Sequence, residues 1–111
     1  MRTFIHFGTQ RWSGKGQCTD YNGLVTFTDK HGVEHKLRLI IHTDSYVSQA
    51  YAKVERWDGT SWQNVVYLNG EELHISPTIG YAKSNMTEHD YQSAYSTDVA
   101  RLLALATEVF E

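Results

Sequence analysis

The chain has 111 residues, of which 41% are apolar and 21% are charged, with one proline and one cysteine. This length suffices for one domain with its own core. The composition excludes a proline-rich linker and a fold held by internal disulfides. A formal charge of −3 at pH 7 weighs against nucleic-acid binding through a net positive field.

The charge changes sign along the chain. Residues 1–56 carry eight basic and five acidic side chains, whereas residues 57–111 carry two basic and eight acidic ones. The N-terminal segment is too short and too polar for the apolar region of a secretory signal, and no stretch approaches the roughly 18 apolar residues of a membrane span. Because Cys18 is alone, as is typical of a reducing compartment, we expect a soluble, cytoplasmic protein.

A first strand is predicted from residues 4–7 toward Trp12, and the glycines of Ser13-Gly14-Lys15-Gly16 end it. Phosphate-binding loops use the same residue types, but the spacing GxxxxGK[ST] is missing and no helix follows, so we interpret this segment as a hairpin connection. Residues 17–21 are a short candidate strand. Asn22-Gly23 then predicts a hairpin turn, because both residues tolerate the positive φ of a type I′ turn.

Residues 24–28 are rich in β-forming side chains, and Asp29-Lys30-His31-Gly32 predicts a second tight turn with its glycine at positive φ. The clearest strand follows from Val33 to His42. Its alternate residues are nearly all apolar on one face and nearly all polar on the other, which indicates an antiparallel strand buried on one side. The apolar set is Val33, His35, Leu37, Leu39 and Ile41.

Residues 46–57 alternate again, and Asp58-Gly59-Thr60-Ser61 predicts a turn into a strand over residues 62–68. Asn69-Gly70 predicts another hairpin turn into residues 71–75. Together these segments predict a meander of five or six antiparallel strands over about residues 3–75.

A loop is expected over residues 76–86 and one long helix over about residues 88–110. Thr87 to Asp90 resembles a capping box, and seven apolar residues then recur at helical spacing. They are Tyr91, Tyr95, Val99, Leu102, Leu103, Ala106 and Phe110. The predicted fold is therefore one α+β domain over residues 1–111: a twisted antiparallel sheet packed by a C-terminal helix.

Six histidines invite a metal interpretation, but their spacing matches no zinc motif. His35 and His74 fall in register with apolar positions, which predicts partly buried rings bonded to the backbone. Cys18 is a candidate nucleophile with His6, His42 or His74 as its base, although the residues around it suggest an inert thiol. Glu71 and Glu72 are adjacent, so on a strand they point to opposite faces and form no catalytic pair. We expect no catalytic residue, metal or cofactor.

Two surfaces are candidates for partner binding. Aromatic and basic residues on the sheet would suit single-stranded nucleic acid, and Trp57 and Trp62 would alternatively pair across the turn between them. Acidic residues of the C-terminal half would suit a basic partner. The first set contains Arg11, Trp12, Lys36, Arg38, Lys53, Arg56, Trp57 and Trp62; the second contains Glu71, Glu72, Glu88, Asp90, Asp98, Glu108 and Glu111.

Non-enzymatic binding to a macromolecular partner, most simply a protein, is the function that these observations favour. Tyrosine and tryptophan dominate binding hot spots, and seven tyrosines exceed what a core of this size needs. The predicted contact residues are Tyr51, Trp57, Trp62, Glu88, Asp90 and Asp98; further tyrosines expected at the surface are Tyr46, Tyr67, Tyr81 and Tyr91. The alternatives are a sheet that binds single-stranded nucleic acid, a small Cys/His enzyme, and a homodimer.

In size, acidity and lack of a catalytic signature, the chain resembles the small accessory or inhibitor proteins carried by phages and other mobile elements. The resemblance rests on composition and assigns no residue a role. It implies a partner from the host or from a defence system.

Overall fold

The fold is an antiparallel meander followed by one helix. A computed structural model describes residues 2–13, 17–44, 48–75 and 88–110, with side chains over 22–44, 48–75 and 93–110. Within these ranges five strands form one sheet in chain order: β1 (Arg2–Ser13), β2 (Gln17–Thr28), β3 (Glu34–Asp44), β4 (Gln49–Trp57) and β5 (Trp62–Asn69). A short 3-10 turn, Gly70–Glu72, precedes helix α1 (Glu88–Phe110). The predicted α+β class, with an antiparallel sheet and one C-terminal helix, is confirmed.

The described core lies on one face of four strands, β2 to β5, which we call the inner face. Along β3 every second residue is buried, as the alternation predicts for a strand covered on one side. The core of buried apolar residues comprises Val25, Phe27, Leu37, Leu39, Ile41, Ala52, Val54, Leu68, Ile75, Tyr95, Leu102 and Ala106. The opposite, outer face has no described helix on it.

Helix α1 covers the inner face and runs antiparallel to β3. The Tyr95 hydroxyl lies 3.4 Å from Oγ1 of Thr43 near the end of β3, and the Phe110 ring stacks on His35, near its beginning, at 4.2 Å. The lengths of helix and strand between these two contacts agree, because fifteen helical residues span about 23 Å and eight strand residues span about 26 Å. The predicted apolar stripe of the helix faces the core, while the side chain of Tyr91 lies outside the described residues.

Two predicted turns are confirmed, and an aspartate closes each of them. Asp29 Oδ1 accepts hydrogen bonds from the backbone N–H groups of His31 and Val33, at 2.8 and 3.0 Å. In the second turn Asp58 Oδ1 accepts from Thr60 and Ser61, at 2.8 Å each. Gly32 and Gly59 adopt φ of 82° and 100°, the left-handed region that glycine reaches without strain.

The predicted turn at Asn22-Gly23 is wrong. β2 passes straight through it, since Asn22 pairs with Gly8 and Ile40, and Gly23 pairs with Phe7 and Leu39. Gly23 simply continues the buried positions of β2. The reversal between β1 and β2 lies instead next to Ser13, which pairs with Gln17; residues 14–16, where the sequence predicts a connection, are outside the described ranges.

The predicted hairpin at Asn69-Gly70 is also wrong, and with it the sixth strand, which is not formed over residues 71–75. Asn69 caps the 3-10 turn, accepting a hydrogen bond from the N–H of Glu71 at 3.0 Å. A Cβ atom at Gly70 would lie 3.0 Å from the carbonyl oxygen of Ala50. The glycine therefore allows the turn to pack against the backbone of β4 instead of reversing into a new strand.

Some predictions lie outside the described residues, namely the loop over 76–86 and the cap at Thr87. In the part of the chain that is described, no helix has the combination of length and apolar character that a bilayer crossing requires.

Candidate binding surface on the outer face

A row of aromatic rings crosses the outer face on three neighbouring strands. His42 on β3 stacks on Tyr51 on β4 at 5.1 Å, and Tyr51 stacks on Tyr67 on β5 at 6.0 Å. The first pair is directly opposite in the register, whereas the second is a diagonal pair, within reach of long side chains. Tyr67 is 57% exposed, so the row ends in a ring open to solvent.

A β-bulge brings Tyr67 to this face. Trp57 pairs with Trp62 at the start of the hairpin, and an uninterrupted register would pair Tyr67 with Ala52, on the inner face. The register shifts by one residue between Val54 and Glu55, so Tyr67 pairs with Lys53 instead. Since neighbouring positions alternate between faces, one extra residue on β5 moves Tyr67 to the outer face.

An open depression of about 680 Å³ lies beside the exposed end of the row. Its walls are the start of β4, the end of β5 and the 3-10 turn, with the rings of Tyr51 and Tyr67 on one side. The close approach of Gly70 to Ala50 holds the turn in this wall. The lining mixes aromatic rings with hydroxyl, amide and carboxylate groups from Ser48, Gln49, Asn69 and Glu71.

A second group of outer-face residues surrounds Arg38. Its guanidinium donates two hydrogen bonds to Oε1 of Glu55, at 2.6 and 2.9 Å, and lies 4.4 Å from the centre of the Trp62 ring. Lys53 Nζ lies 3.5 Å from the other oxygen of Glu55. A depression of about 360 Å³ borders Arg38 and Trp62 on the side of Leu24, which is exposed.

The described outer face is close to neutral. The even-numbered positions of β3 and the odd-numbered ones of β4 point outward, and they place three basic side chains beside three acidic ones: Lys36, Arg38 and Lys53 with Glu34, Asp44 and Glu55. Two of the three cations are already paired with Glu55. Aromatic area rather than net charge distinguishes this surface.

The predicted contact residues divide into three groups. Tyr51, Trp57 and Trp62 all lie on the outer face, half-buried, and the two tryptophans pair directly across the hairpin with ring centres 5.4 Å apart. The side chains of Glu88 and Asp90 lie outside the described residues. Asp98 does not belong to an exposed acidic surface, because its side chain is buried, with 1% of its surface exposed.

Asp98 is instead an internal anchor of helix α1. Its two carboxylate oxygens accept hydrogen bonds from the backbone N–H groups of His74 and Ile75, at 2.8 and 2.9 Å. Three residues further along the helix, Arg101 donates to the backbone carbonyl of Glu72. Both contacts tie the helix to the segment after β5, because residues three apart lie on one side of a helix.

The predictions for His74 and for the partners of His35 are wrong. His74 is exposed and lies in no strand. His35 is buried, but its partners are side chains and not the backbone: Nδ1 accepts a hydrogen bond from Arg56 Nε at 2.8 Å, and Nε2 lies 3.0 Å from Asp29 Oδ2. The hydrogen bond from His35, helped by the two turn N–H groups, lowers the pKa of Asp29 to about 2. Phe110 covers the ring from the helix side.

The enzyme alternative depends on Cys18, whose side chain lies outside the described ones. In the register Cys18 pairs with Asp44, Asp20 pairs with His42, and His6 pairs with Leu24, so His42 lies nearer to Cys18 than His6 does by strand position. Among the described residues no group of three or more histidine, cysteine, aspartate or glutamate side chains converges as a metal site would require.

Comparison with known proteins gives no relative from which a role for these residues could be transferred. No family model, no curated protein and no solved structure matches the chain.

Proposed function

We propose that this protein is a non-enzymatic binding protein that docks a protein partner on the outer face of its sheet, as small accessory or inhibitor proteins do. The observation that carries the proposal is the row His42–Tyr51–Tyr67, which ends in an exposed tyrosine. Helix α1 fills the inner face, so a partner that meets the sheet face-on meets the outer one.

The composition of the outer face supports a protein partner. Tyrosine, tryptophan and arginine are enriched where protein interfaces derive most of their binding free energy. Tyr51, Trp62 and Arg38 are each already held by neighbouring side chains. Side chains that are ordered before binding lose less conformational entropy when a partner docks.

Single-stranded nucleic acid is the second candidate, and the stacked rings favour it because any base can stack on an exposed aromatic face. The charges of the face weigh against it. Such affinity depends on cations that meet phosphates, whereas Arg38 and Lys53 are both paired with Glu55.

A photo-crosslinking amino acid at position 67 tests the proposal in extract of the source cell. Position 33 is the matched control, since Val33 is also exposed, at 48%, but lies in the turn between β2 and β3. We expect one protein adduct from position 67 that position 33 does not give. With that protein purified, Tyr67→Ala should weaken binding at least tenfold, as for a hot spot, and Val33→Ala should leave it unchanged.

Three results would contradict the proposal: equal adducts from both positions, an adduct that nuclease removes, or unchanged affinity of the Tyr67→Ala variant.

The role of the Cys18 thiol is tested in the same binding assay. We expect Cys18→Ser to bind the partner normally, and complete loss of binding would revive the Cys/His alternative.

A further inference from the structure

Strand β5 leaves one edge of the sheet unpaired by any described residue. It is last in the strand order, and its described strand partners all lie on β4. Natural proteins usually protect such an edge with lysine, proline or a very short strand. β5 has eight residues and contains neither proline nor any charged side chain. Its one protective feature is the bulge at Val65, which leaves residues 66–69 regular.

A groove of about 440 Å³ follows this edge. On the strand side it is lined by the four consecutive residues 65–68, and on the helix side by Leu105, Glu108 and Val109. Consecutive strand residues point alternately to the two faces, so a groove that touches all four runs along the edge and not across one face. Val109 is 57% exposed, an apolar side chain in the open wall of the groove.

We propose that this edge accepts an extended segment of the partner protein as an additional strand paired with β5. The unpaired N–H and C=O groups of β5 would supply the backbone hydrogen bonds, as in other cases of strand addition. Alternate side chains of the segment would point toward Leu105 and Val109, so they should be apolar. This inference rests on the proposed function and names the chemistry of the partner segment.

The charges around the groove select a basic segment. Glu108 lines the groove, and Glu71 and Glu72 lie in the 3-10 turn after β5. Arg101 donates to the backbone carbonyl of Glu72, so these three carboxylates outnumber this guanidinium. None of the described lining residues is basic, and the last turn of α1 has no basic residue. The carbonyl end of the helix adds a partial negative charge. The occupant that fits is therefore an extended apolar segment flanked by lysine or arginine.

A second copy of this chain fits the edge less well. Two β5 strands paired around a two-fold axis would share one interface, because the same surface is used twice. Each groove would then meet the other, and the two Glu108 carboxylates would approach as like charges.

A defined peptide tests the inference without the native partner. The probe is the fluorescein-labelled peptide KVTVTVTVK, and its acidic counterpart EVTVTVTVE is the charge control. We expect saturable binding of the basic peptide by fluorescence anisotropy and at least tenfold weaker binding of the acidic one. In amide hydrogen exchange, the basic peptide should slow exchange along residues 66–69 and leave β3 unchanged.

A matched pair of variants places the probe in the groove. Val109→Lys puts a cation in the groove wall and should lower the affinity for the basic peptide at least tenfold. Ala104→Lys adds the same charge to an exposed position of α1 outside the lining and should bind as the wild type does. The two variants should have the same melting temperature within a few degrees.

Other outcomes would overturn the inference. Equal loss in both variants would mean that net charge alone decides binding, and exchange protection confined to His42 and Tyr51 would place the peptide on the outer face. A dimer by light scattering with β5 protected before peptide is added would assign the edge to a second copy. No binding of either peptide would remove strand addition while leaving the crosslink at position 67, and so the proposed function, untouched.

Discussion

At the scale of single residues, the fold depends on a buried histidine held on both ring nitrogens. Arg56 donates to Nδ1 of His35, so the neutral ring carries its proton on Nε2 and donates it to Asp29. Asp29 also closes the turn between β2 and β3. One carboxylate therefore joins that turn, through His35, to β4 and to the last turn of α1.

The Asp29 carboxylate predicts a specific loss of stability in acid. Its pKa is about 2 in the folded protein against an ordinary value of 3.8. A folded pKa below the unfolded one stabilises the protein fully above the unfolded value, and that contribution disappears as the pH falls through the folded value. We expect stability from this group to decline between about pH 4 and pH 2.

Urea unfolding at a series of pH values measures this decline. Asp29→Asn should be less stable than the wild type at pH 7, and the difference should shrink steadily below pH 4. Glu34→Gln, which removes an exposed carboxylate at the start of β3, is the control. If the Asp29→Asn and wild-type curves stay parallel from pH 7 to pH 2, His35 and Asp29 are not coupled as described.

At the scale of elements, the helix depends on its buried leucine. Leu102 is fully buried against the sheet, while Ala104, two residues away, is exposed. Leu102→Asp would place a carboxylate in the core without a partner, so we expect loss of cooperative melting by circular dichroism. Ala104→Asp should stay within about 0.5 kcal/mol of the wild type, as surface changes do. A cooperative transition in the Leu102→Asp variant would show that the helix is not docked as described.

Asp98 gives the same helix a polar attachment. Asp98→Asn keeps the shape but turns one acceptor into an N–H donor that faces a backbone N–H. A buried group left unsatisfied costs about 1–3 kcal/mol, so we expect the free energy of unfolding to fall by that amount in urea titrations. Glu108→Gln, at an exposed position of the same helix, should have little effect. A neutral Asp98→Asn variant would mean that the carboxylate is not the anchor.

Local signals predicted the elements better than they predicted the sites. The turns at Asp29 and Asp58 follow from an aspartate and a glycine that satisfy the turn by themselves. Asn22-Gly23 has the same local chemistry, but the pairing of both its neighbours along β1 and β3 overrides it. The exposure of Tyr67 was predicted and is confirmed, but its place in an aromatic row was not. The bulge that turns Tyr67 outward lies in a stretch of β5 without glycine or proline, so no local signal marks it.

Sequence reasoning also missed the burial of Asp98. An aspartate on a helix with many acidic neighbours is expected in solvent, and only the return of residues 74–75 to the helix makes it internal. His35 was more accessible to sequence reasoning, since a histidine at an apolar position of an alternating strand predicts a buried ring. Its partners come from a turn and from β4, and no periodicity connects them.

At the scale of the whole molecule, charge separates the two candidate functions. The chain has a net charge of −3, and the described outer face balances three cations with three anions. Non-specific binding of nucleic acid derives almost entirely from cations that displace counterions, and its affinity falls steeply with salt. We therefore expect labelled oligo(dT) to bind more weakly than about 10⁻⁴ M at physiological salt, the weak end of such binding.

Fluorescence anisotropy over a series of salt concentrations measures the affinity for oligo(dT). The Glu55→Gln variant is measured beside the wild type, because it releases Arg38 and Lys53 from their shared carboxylate. Wild-type binding of oligo(dT) should be undetectable at physiological salt, and Glu55→Gln should make it measurable only at low salt, because two released cations supply at most two phosphate contacts. Micromolar binding by the wild type, steeply weakened by salt and by Tyr67→Ala, would make the aromatic row a platform for bases. The contribution of the aromatic row to a protein complex, measured as the affinity lost in Tyr67→Ala, should instead change little with salt, since stacked rings make no contacts between unpaired charges.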